Sequence, residues 1–389
     1  MRLLVVGHSY VTAFAQRKYV AMKRMDPDLE VRIVTPATIP HAFRRYRHER
    51  HSALLPGETI AIGRLGGRSH MTYALEPFRL SAVLRRFEPD RIHIEEDPHS
   101  VIGYETVSLA RRLQPKVGIS FFIWDNLTRV PRFPKSLLKR VLTKYCLGRA
   151  DLVVCGNIEA ERLLRTVKGY EGRTAIIPQV GLDLEDYAWP PARQVREQVP
   201  ASDGSVWVGF VGRLAPEKGL GLLLESLRRL PHLPWRLLVI GSGPLRHEIE
   251  SRWRALFGDR LLFLAPVRHE AVADYLKCLD VFVLPSYATA SWKEQFGLTL
   301  AQAMMAGAAC IGSSCGAIPE VVGDAGVIVP ERDQEGLSRA LSTMLCSESA
   351  RRALQGRARQ AASARFSNIG IAGRYLEVFR AASPVWAAG

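Results

Sequence analysis

The turn at residues 212–219 has the residue types that an anionic ligand needs. It follows an apolar run at 206–211 and contains Gly212, Arg213 and Lys218. A glycine lets a ligand approach the backbone, arginine offers a planar fork of N–H donors, and lysine offers a point charge, a combination that suits a diphosphate. A solvated basic turn would have the same composition, so this turn alone leaves both interpretations open.

Two further turns with glycines follow apolar runs in the same half of the chain. Gly241 and Gly243 come after the run at 235–240 and resemble the start of a dinucleotide-binding fingerprint, but Arg246 stands where the third glycine would be. A tight turn from a strand into a helix explains these two glycines equally well. The other turn, at 312–320, also follows a predicted strand.

The densest group of candidate residues lies around the start of a predicted helix at 298–306. Gly297 precedes the first helical residue, Leu298, so free backbone N–H groups there would face an anion and favour a phosphate. Glu294 stands just outside the helix, where its carboxylate could accept hydrogen bonds from sugar hydroxyls, and Gln302 lies about one turn inside it. Four such turns after strands in one half of the chain predict a single ligand site.

A second group of candidates follows two apolar runs in the first half of the chain. Its members are Gly7, His8, Ser9, Glu95 and Glu96. The carboxylates could orient a substrate hydroxyl or act as acid or base, or they could cap the following helix together with Ser100. His8 is open to the same two interpretations, structural or substrate-binding.

Short β-branched runs alternate with helical patterns throughout, which is typical of parallel sheets built from βαβ units. Strands are expected at 3–6, 31–34, 92–94, 117–123, 152–154, 175–177, 206–211, 235–240, 261–264, 281–284, 309–311 and 327–329. The prolines and polar residues between Trp189 and Ser205 interrupt this pattern. We therefore expect a first Rossmann-like domain at 1–190, a linker at 191–205 and a second domain at 206–365.

The 389 residues carry a net charge of +15, which calls for an anionic partner. Residues 129–149 contain seven Lys and Arg and no acidic residue. A helix there would either pack its apolar side on the core or contact an anionic membrane surface. With only Phe133 and Tyr145 among these cations, nucleic-acid binding is not expected. Without a signal-like or membrane-spanning segment we expect a cytoplasmic protein, either free or peripheral at the inner face of the membrane.

The motifs at 209–219, 294–297 and 312–320 resemble, in type, order and spacing, the donor-site motifs of the retaining glycosyltransferases of family 4. That resemblance implies an α/β fold of the GT-B architecture, with two facing Rossmann-like domains, parallel sheets and a C-terminal helix, 366–389, that returns to the first domain. It also implies that Arg213 and Lys218 neutralise the donor diphosphate and that Glu294 holds the transferred sugar.

The resemblance assigns the remaining candidates to two groups. The donor-binding residues are Gly212, Gly241, Gly243, Val267, Arg268, Phe296, Gly297, Leu298 and Gln302, with Val267 offering backbone contacts to the base. The acceptor-side residues are Gly7, His8, Ser9, Glu95 and Glu96. Gln302 stands where the family has a second glutamate, and Gly7-His8-Ser9-Tyr10 stands in place of a glycine-rich loop.

The implied reaction is retaining, metal-independent transfer of a sugar from a nucleoside-diphosphate sugar to a hydroxyl acceptor, with no cofactor. It would serve glycan, glycolipid or glycosylated-metabolite biosynthesis, so the acceptor is expected to be a glycan, a lipid-linked molecule or a small metabolite. The alternative is a sugar-nucleotide epimerase on the same scaffold. The six cysteines lack the spacing of a metal site, and no metal ligands are expected.

Overall fold

The computed structural model of the chain describes residues 1–40, 45–67, 71–128, 135–200 and 204–382. They form two compact units, the first comprising Met1–Gly181 with Asn368–Gly389 and the second Leu182–Ser367. Within the described part of the chain, no helix combines the length and apolar character that crossing a bilayer requires.

The described strands and helices alternate along most of the chain. The strands are β1 (Arg2–Val6), β2 (Glu30–Pro36), β3 (Thr38–Pro40), β4 (Arg45–Arg47), β5 (Thr59–Ile62), β6 (Arg64–Gly66), β7 (Tyr73–Leu75), β8 (Arg91–Ile94), β9 (Gly118–Ile123), β10 (Leu152–Cys155), β11 (Arg173–Ile176), β12 (Val206–Val211), β13 (Trp235–Ile240), β14 (Leu261–Leu264), β15 (Val281–Leu284), β16 (Ala309–Ser313) and β17 (Val327–Val329). The helices are α1 (Arg17–Met25), α2 (Pro77–Phe87), α3 (Val101–Leu113), α4 (Lys135–Leu147), α5 (Ile158–Thr166), α6 (Arg193–Gln198), α7 (Leu220–Arg228), α8 (Arg246–Glu248), α9 (Arg254–Phe257), α10 (His269–Lys277), α11 (Leu298–Ala306), α12 (Ile318–Val322), α13 (Gln334–Cys346), α14 (Glu348–Phe366) and α15 (Asn368–Ala381).

The first unit is built on a seven-stranded parallel sheet in the order β11-β10-β9-β8-β1-β2-β5. Its central strands are continuous apolar runs because helices cover both faces. On one face, helices α2 to α5 contribute to a core that includes Leu4 and Ile92, and on the other face α1 and α15 pack around Leu3 and Val31. The chain leaves β1 toward β2 on one side and resumes at β8 on the other, so the strand order reverses between β1 and β8.

The C-terminal helix α15 is part of the first unit. Its buried residues Ile371, Tyr375 and Phe379 belong to the same apolar cluster as Tyr19 and Met22 of α1. The ring of Phe379 also lies edge-on to Tyr375, with centroids 5.5 Å apart. The fold thus includes the returning helix that the sequence predicts, beginning at Asn368 rather than at 366 because α14 continues through Phe366.

The second unit is built on a six-stranded parallel sheet in the order β14-β13-β12-β15-β16-β17. The chain moves from β12 through β13 to β14 on one side, then returns to β15 on the other side of β12. The strand order therefore reverses between β12 and β15. In open parallel sheets, loops at such a reversal leave space for a ligand beyond the carboxyl ends of the strands.

The loops after β12 and β13 approach each other so closely that only glycine fits. Gly241 has φ 156°, and a Cβ there would lie 1.9 Å from the carbonyl oxygen of Gly212. At Gly243 a Cβ would lie 2.5 Å from the carbonyl oxygen of Leu214. The backbone N–H of Leu214 in turn donates a hydrogen bond to the carbonyl oxygen of Ser242 at 2.8 Å. Backbone packing alone is therefore enough to require these glycines, in line with the interpretation of Gly241 and Gly243 as a tight turn from a strand into a helix.

The first residues after the first unit, 182–190, pack in the second unit, whereas the sequence pattern assigned them to the first domain. Lys277 of α10 donates to the carbonyl oxygens of Asp186 and Ala188 at 3.3 and 2.9 Å. Part of the expected linker is the helix α6, where Gln198 accepts a hydrogen bond from the Tyr275 hydroxyl at 2.8 Å. These contacts join distant parts of the chain, and the local pattern of prolines gave no sign of them.

Replacing Phe379 with Ala should lower the free energy of unfolding of the first unit by about 3 to 5 kcal/mol, because a fully enclosed aromatic ring leaves a cavity. The midpoint of urea unfolding, followed by circular dichroism, measures this loss. Glu377→Ala, on the exposed side of the same helix, should stay within about 0.5 kcal/mol of the wild type. Equal midpoints for all three proteins would show that α15 is not anchored as described.

Gly241→Ala should destabilise the second unit by more than about 1 kcal/mol. The backbone φ of Gly241 is unfavourable for alanine, and the alanine methyl group would clash with the carbonyl oxygen of Gly212. Gly221→Ala is the matched control: this glycine lies in α7, no neighbouring atom is within 4 Å of the place that an alanine methyl group would take, and the change should be neutral or stabilising. Thermal unfolding of both variants measures the contrast. A Gly241→Ala protein as stable as Gly221→Ala would contradict the close backbone packing.

Candidate active site

An ion pair joins the loops that follow β12 and β15, where the strand order of the second sheet reverses. Lys218 Nζ lies 2.6 Å from Glu294 Oε2, and the two side chains are 18% and 8% exposed. The Lys218 ammonium also lies 4.7 Å from the centre of the Trp292 ring. Two residues that are 76 positions apart in sequence, and that the sequence selected separately, are therefore in direct contact.

Glu294 is held in place by its neighbours on two further turns. The hydroxyl of Ser286, just after β15, lies 3.4 Å from Glu294 Oε2. The backbone carbonyl of Glu294 accepts a hydrogen bond from Ala317 N at 3.1 Å. Gly316 has φ 56°, and a Cβ there would lie 2.0 Å from the Glu294 carbonyl oxygen, so this approach requires glycine. The turn at 312–320 thus supports the backbone of Glu294.

Arg213 lies on the same loop as Lys218 and forms an ion pair with Glu217. Its side chain is 46% exposed, so solvent screens this pair and the guanidinium can exchange Glu217 for another anion at little cost. The carbonyl of Glu217 accepts a hydrogen bond from Tyr287 N at 2.9 Å, which ties the loop after β12 to the loop after β15. Both cations are thus held at one edge of the sheet.

The helix α11 begins at this edge with its first turn uncapped. Gly297 adopts the left-handed φ of 79°, and no side chain among the described residues caps the helix there. A Cβ placed on Gly297 would lie 3.8 Å from Cγ of Glu294, so the start of the helix is next to the ion pair. Leu298 is the first helical residue, and the backbone N–H groups of this turn are the donors that an anion would meet.

Four other donor candidates lie in different surroundings. Phe296 is buried, and its ring packs edge-on against Phe366 at 5.6 Å, so its side chain serves the core. Gln302 is also buried, and its Oε1 accepts no hydrogen bond from the described residues. Val267 and Arg268 follow β14, the edge strand, two strands away from β12.

In the first unit, His8 and Glu96 meet where the strand order reverses between β1 and β8. Glu96 Oε1 accepts hydrogen bonds from the backbone N–H and from Nδ1 of His8, each at 2.7 Å. Burial is the largest single influence on the pKa of His8 and lowers it, but the carboxylates of Glu96, Asp97 and Glu95 together raise the pKa above the usual value for histidine. Gly7 packs against Glu95 and Ser9 belongs to the helical turn His8–Val11.

Glu95 is buried, and both of its carboxylate oxygens bond within the first unit, which does not favour the acceptor-orienting interpretation that the sequence left open. Its Oε1 lies 2.5 Å from Lys18 Nζ and 2.6 Å from the Tyr19 hydroxyl, and its Oε2 accepts from Gln179 at 2.7 Å. Burial would raise the pKa of Glu95, but Lys18 and His93 lower it well below its usual value. Glu95 and Glu96 follow the end of β8 and are both buried, but of the partners named here only His8, which contacts Glu96, is partly exposed.

The sequence analysis missed the partners that position these groups. Trp292 and Ser286 contact the Lys218–Glu294 pair, and Lys18 neutralises Glu95. Trp292 could have been predicted from the sequence, since it lies two residues before Glu294. Lys18 could not, because a lysine in an amphipathic helix normally faces water. Of residues 129–149, positions 129–134 lie outside the described residues, and the rest form α4 and the turn after it.

Part of the chain resembles known protein sequences. Residues 205–347 match the family described as Glycosyl transferases group 1. A D-inositol 3-phosphate glycosyltransferase of Geodermatophilus obscurus is 29% identical over 226 residues, which are 54% of this chain and 49% of the relative. The corresponding protein of Xylanimonas cellulosilytica is 31% identical over 245 residues, 60% and 57% of the two chains. The matches span only about half the length of these relatives.

Solved structures resemble the whole chain. Sucrose-phosphate synthase from Thermosynechococcus elongatus has a TM-score of 0.70 at 21% identity, with 100% of both chains covered. The Anabaena protein Alr3699/HepE in complex with UDP has a TM-score of 0.72 at 17% identity, with 98% of this chain and 100% of that chain covered. At such identities the likeness shows the fold. The chain therefore has the GT-B fold, and its residues 205–347 match the family described as Glycosyl transferases group 1.

Proposed function

We propose that this protein transfers a sugar from a nucleoside-diphosphate sugar to a hydroxyl acceptor, with retention of anomeric configuration and without a metal ion. The observation that carries the proposal is the contact between Lys218 and Glu294 beside the uncapped start of α11. A cation, a carboxylate and free helical N–H groups at one sheet edge are complementary to a sugar joined to a diphosphate.

Breaking the bond between the anomeric carbon and the diphosphate oxygen places negative charge on the leaving group. Groups that attract this charge more strongly in the transition state than in the bound donor accelerate the step. Arg213, Lys218 and the N–H groups at the start of α11 are suited to this role. Their positive charge and donors take the place that a metal ion would have in a metal-dependent transferase.

The ion pair suits Glu294 to bind the transferred sugar. When a diphosphate attracts the Lys218 ammonium, one oxygen of the Glu294 carboxylate loses a partner. Sugar hydroxyls are good replacement donors, because hydrogen bonds to a carboxylate are strong. The backbone contacts of Glu294 with Ala317 and Gly316 keep the carboxylate near the sugar during this exchange.

The names of similar proteins support a nucleotide-sugar donor. The Anabaena protein has been solved with UDP and with UDP-glucose, and the relatives are named as glycosyltransferases acting on D-inositol 3-phosphate. On the acceptor side we assign His8 and Glu96, where one carboxylate oxygen, Oε2, has no hydrogen-bond partner among the described residues. The proposed acceptor is a hydroxyl of a glycan, a lipid-linked molecule or a small metabolite.

Lys218→Ala and Arg213→Ala should each weaken binding of a nucleoside diphosphate by about 10- to 100-fold, because each removes a charged hydrogen-bond donor. Calorimetry with UDP, GDP, ADP and dTDP measures the affinity and selects the base. Release of the nucleoside diphosphate from the selected donor should fall by about 100- to 1000-fold, since charge on the leaving group is no longer stabilised.

Two control variants separate this effect from general loss of positive charge. Lys116→Ala and Arg228→Ala each remove one exposed cation elsewhere and should leave affinity and release unchanged. Lys218→Arg should retain more affinity than Lys218→Ala, because it keeps the charge. Near-normal binding and release in both Lys218→Ala and Arg213→Ala would contradict the donor-site assignment.

Retention and metal independence can be tested on one reaction mixture. Proton NMR of the product should show the same anomeric configuration as the donor, and the rate should be unchanged within about twofold by excess EDTA, because protein cations replace the metal. Inversion, or a rate restored only by added Mg²⁺ or Mn²⁺, would contradict this part of the proposal. Formation of an epimeric nucleotide sugar without any acceptor would contradict group transfer itself.

A further inference from the structure

Helix α4 of the first unit presents apolar side chains to solvent. Leu137, Leu138 and Val141 are 54%, 60% and 55% exposed, whereas Thr143 and Cys146 on the opposite side are buried. A surface helix normally does the reverse, with its apolar side chains on the core. Three large apolar side chains adjacent on one exposed helix surface differ from the isolated exposed residues that most proteins carry.

Cations border these apolar side chains. Arg140 and Lys144 are exposed and lie one turn apart on the same helix. The sequence has no acidic residue from position 129 to position 149. Tyr104 of α3, 40% exposed, extends the apolar area toward α4, with its ring centre 5.0 Å from that of Tyr145. We call Leu137, Leu138, Val141, Tyr104, Arg140 and Lys144 the α4 patch.

The α4 patch lies toward one edge of the sheet. A helix that connects two parallel strands runs antiparallel to them, so it begins at the carboxyl ends of the strands. Leu137, Leu138 and Val141 are in the first two turns of α4, which connects β9 to β10. The same edge of the first sheet carries His8 and Glu96, after β1 and β8.

We propose that the α4 patch docks this protein on the surface of a membrane that contains anionic lipids. In that arrangement the apolar side chains enter the boundary between headgroups and acyl chains, while Arg140 and Lys144 contact lipid phosphates. A second copy of the chain is a poorer occupant, because a two-fold contact would bring the same cations together. The net charge of +15 adds a further attraction to an anionic surface. This proposal does not depend on the proposed reaction.

Sedimentation with sucrose-loaded vesicles tests the docking without donor or acceptor. The wild-type protein should bind vesicles of phosphatidylcholine and phosphatidylglycerol, and bind phosphatidylcholine vesicles much less. Leu137→Ser/Leu138→Ser/Val141→Ser should reduce the partition coefficient at least about 10-fold, because three apolar side chains no longer leave water. Arg140→Gln/Lys144→Gln should reduce the partition coefficient by about fivefold for each cation removed. This reduction should be smaller in high salt, because salt already screens the attraction to lipid phosphates.

Matched variants show whether the location of the side chains matters. Val167→Ser/Leu256→Ser/Ile369→Ser removes three apolar side chains that are similarly exposed but scattered, and Arg339→Gln/Arg352→Gln removes two exposed cations from other helices. Both should bind vesicles as the wild type does. Circular dichroism and melting temperature establish that every variant is folded.

Three results would overturn the proposal. One is a wild-type protein that stays in the supernatant with the anionic vesicles. Another is an equal loss of binding in the α4 patch variants and the scattered variants. The third is a lipid-free dimer, seen by analytical ultracentrifugation, that becomes monomeric only when the α4 patch is changed, since the patch would then be an interface between copies.

Discussion

The reversal of strand order in each sheet is the constraint on which both candidate sites depend. A connection from one parallel strand to the next is almost always right-handed, so helices reached from opposite directions lie on opposite faces. The loops beside the reversal therefore separate and leave the carboxyl ends of the strands accessible. In the second unit these loops bring Lys218 to Glu294, and in the first they bring His8 to Glu96. Each contact joins two loops that follow strands adjacent in the sheet but distant in the chain.

Close backbone packing makes the loops of the candidate site in the second unit suitable for positioning charge. The carbonyl of Gly212 occupies the space that a side chain at Gly241 would need, and the carbonyl of Glu294 does the same at Gly316. Hydrogen bonds between the loops, such as the one from Tyr287 N to Glu217 O, add to this rigidity. Fixed donors need little reorganisation when charge develops on a ligand, and this is the main advantage of a preorganised site. The glycines therefore serve the site through the backbone they permit.

The sequence predicted the parts of the fold that local pattern determines. All twelve expected strands exist, because continuous β-branched runs bounded by turns identify buried parallel strands. The pattern missed β5 and the antiparallel pairs β3-β4 and β6-β7, whose residues do not form continuous β-branched runs. For the site, the sequence selected Lys218 and Glu294 but not Trp292 beside them, and it treated Glu95 and Glu96 alike. Which side of a strand end a carboxylate faces depends on register and on distant partners such as Lys18.

Two lysine–glutamate pairs in this chain show how burial separates structure from chemistry. Lys18 and Glu95 are completely enclosed, with the Lys18 ammonium 4.4 Å from the centre of the Tyr375 ring and Glu95 bonded on both oxygens. Removing either member would leave a buried charge without its partner, so this pair stabilises the packing of α1 and α15 against the end of β8. Lys218 and Glu294 have the same chemistry, but their side chains retain some exposure at a sheet edge. In the proposed reaction, an incoming diphosphate therefore competes for Lys218 without unfolding the unit. The two pairs differ in their access to solvent, and the sequence does not specify this access for either pair.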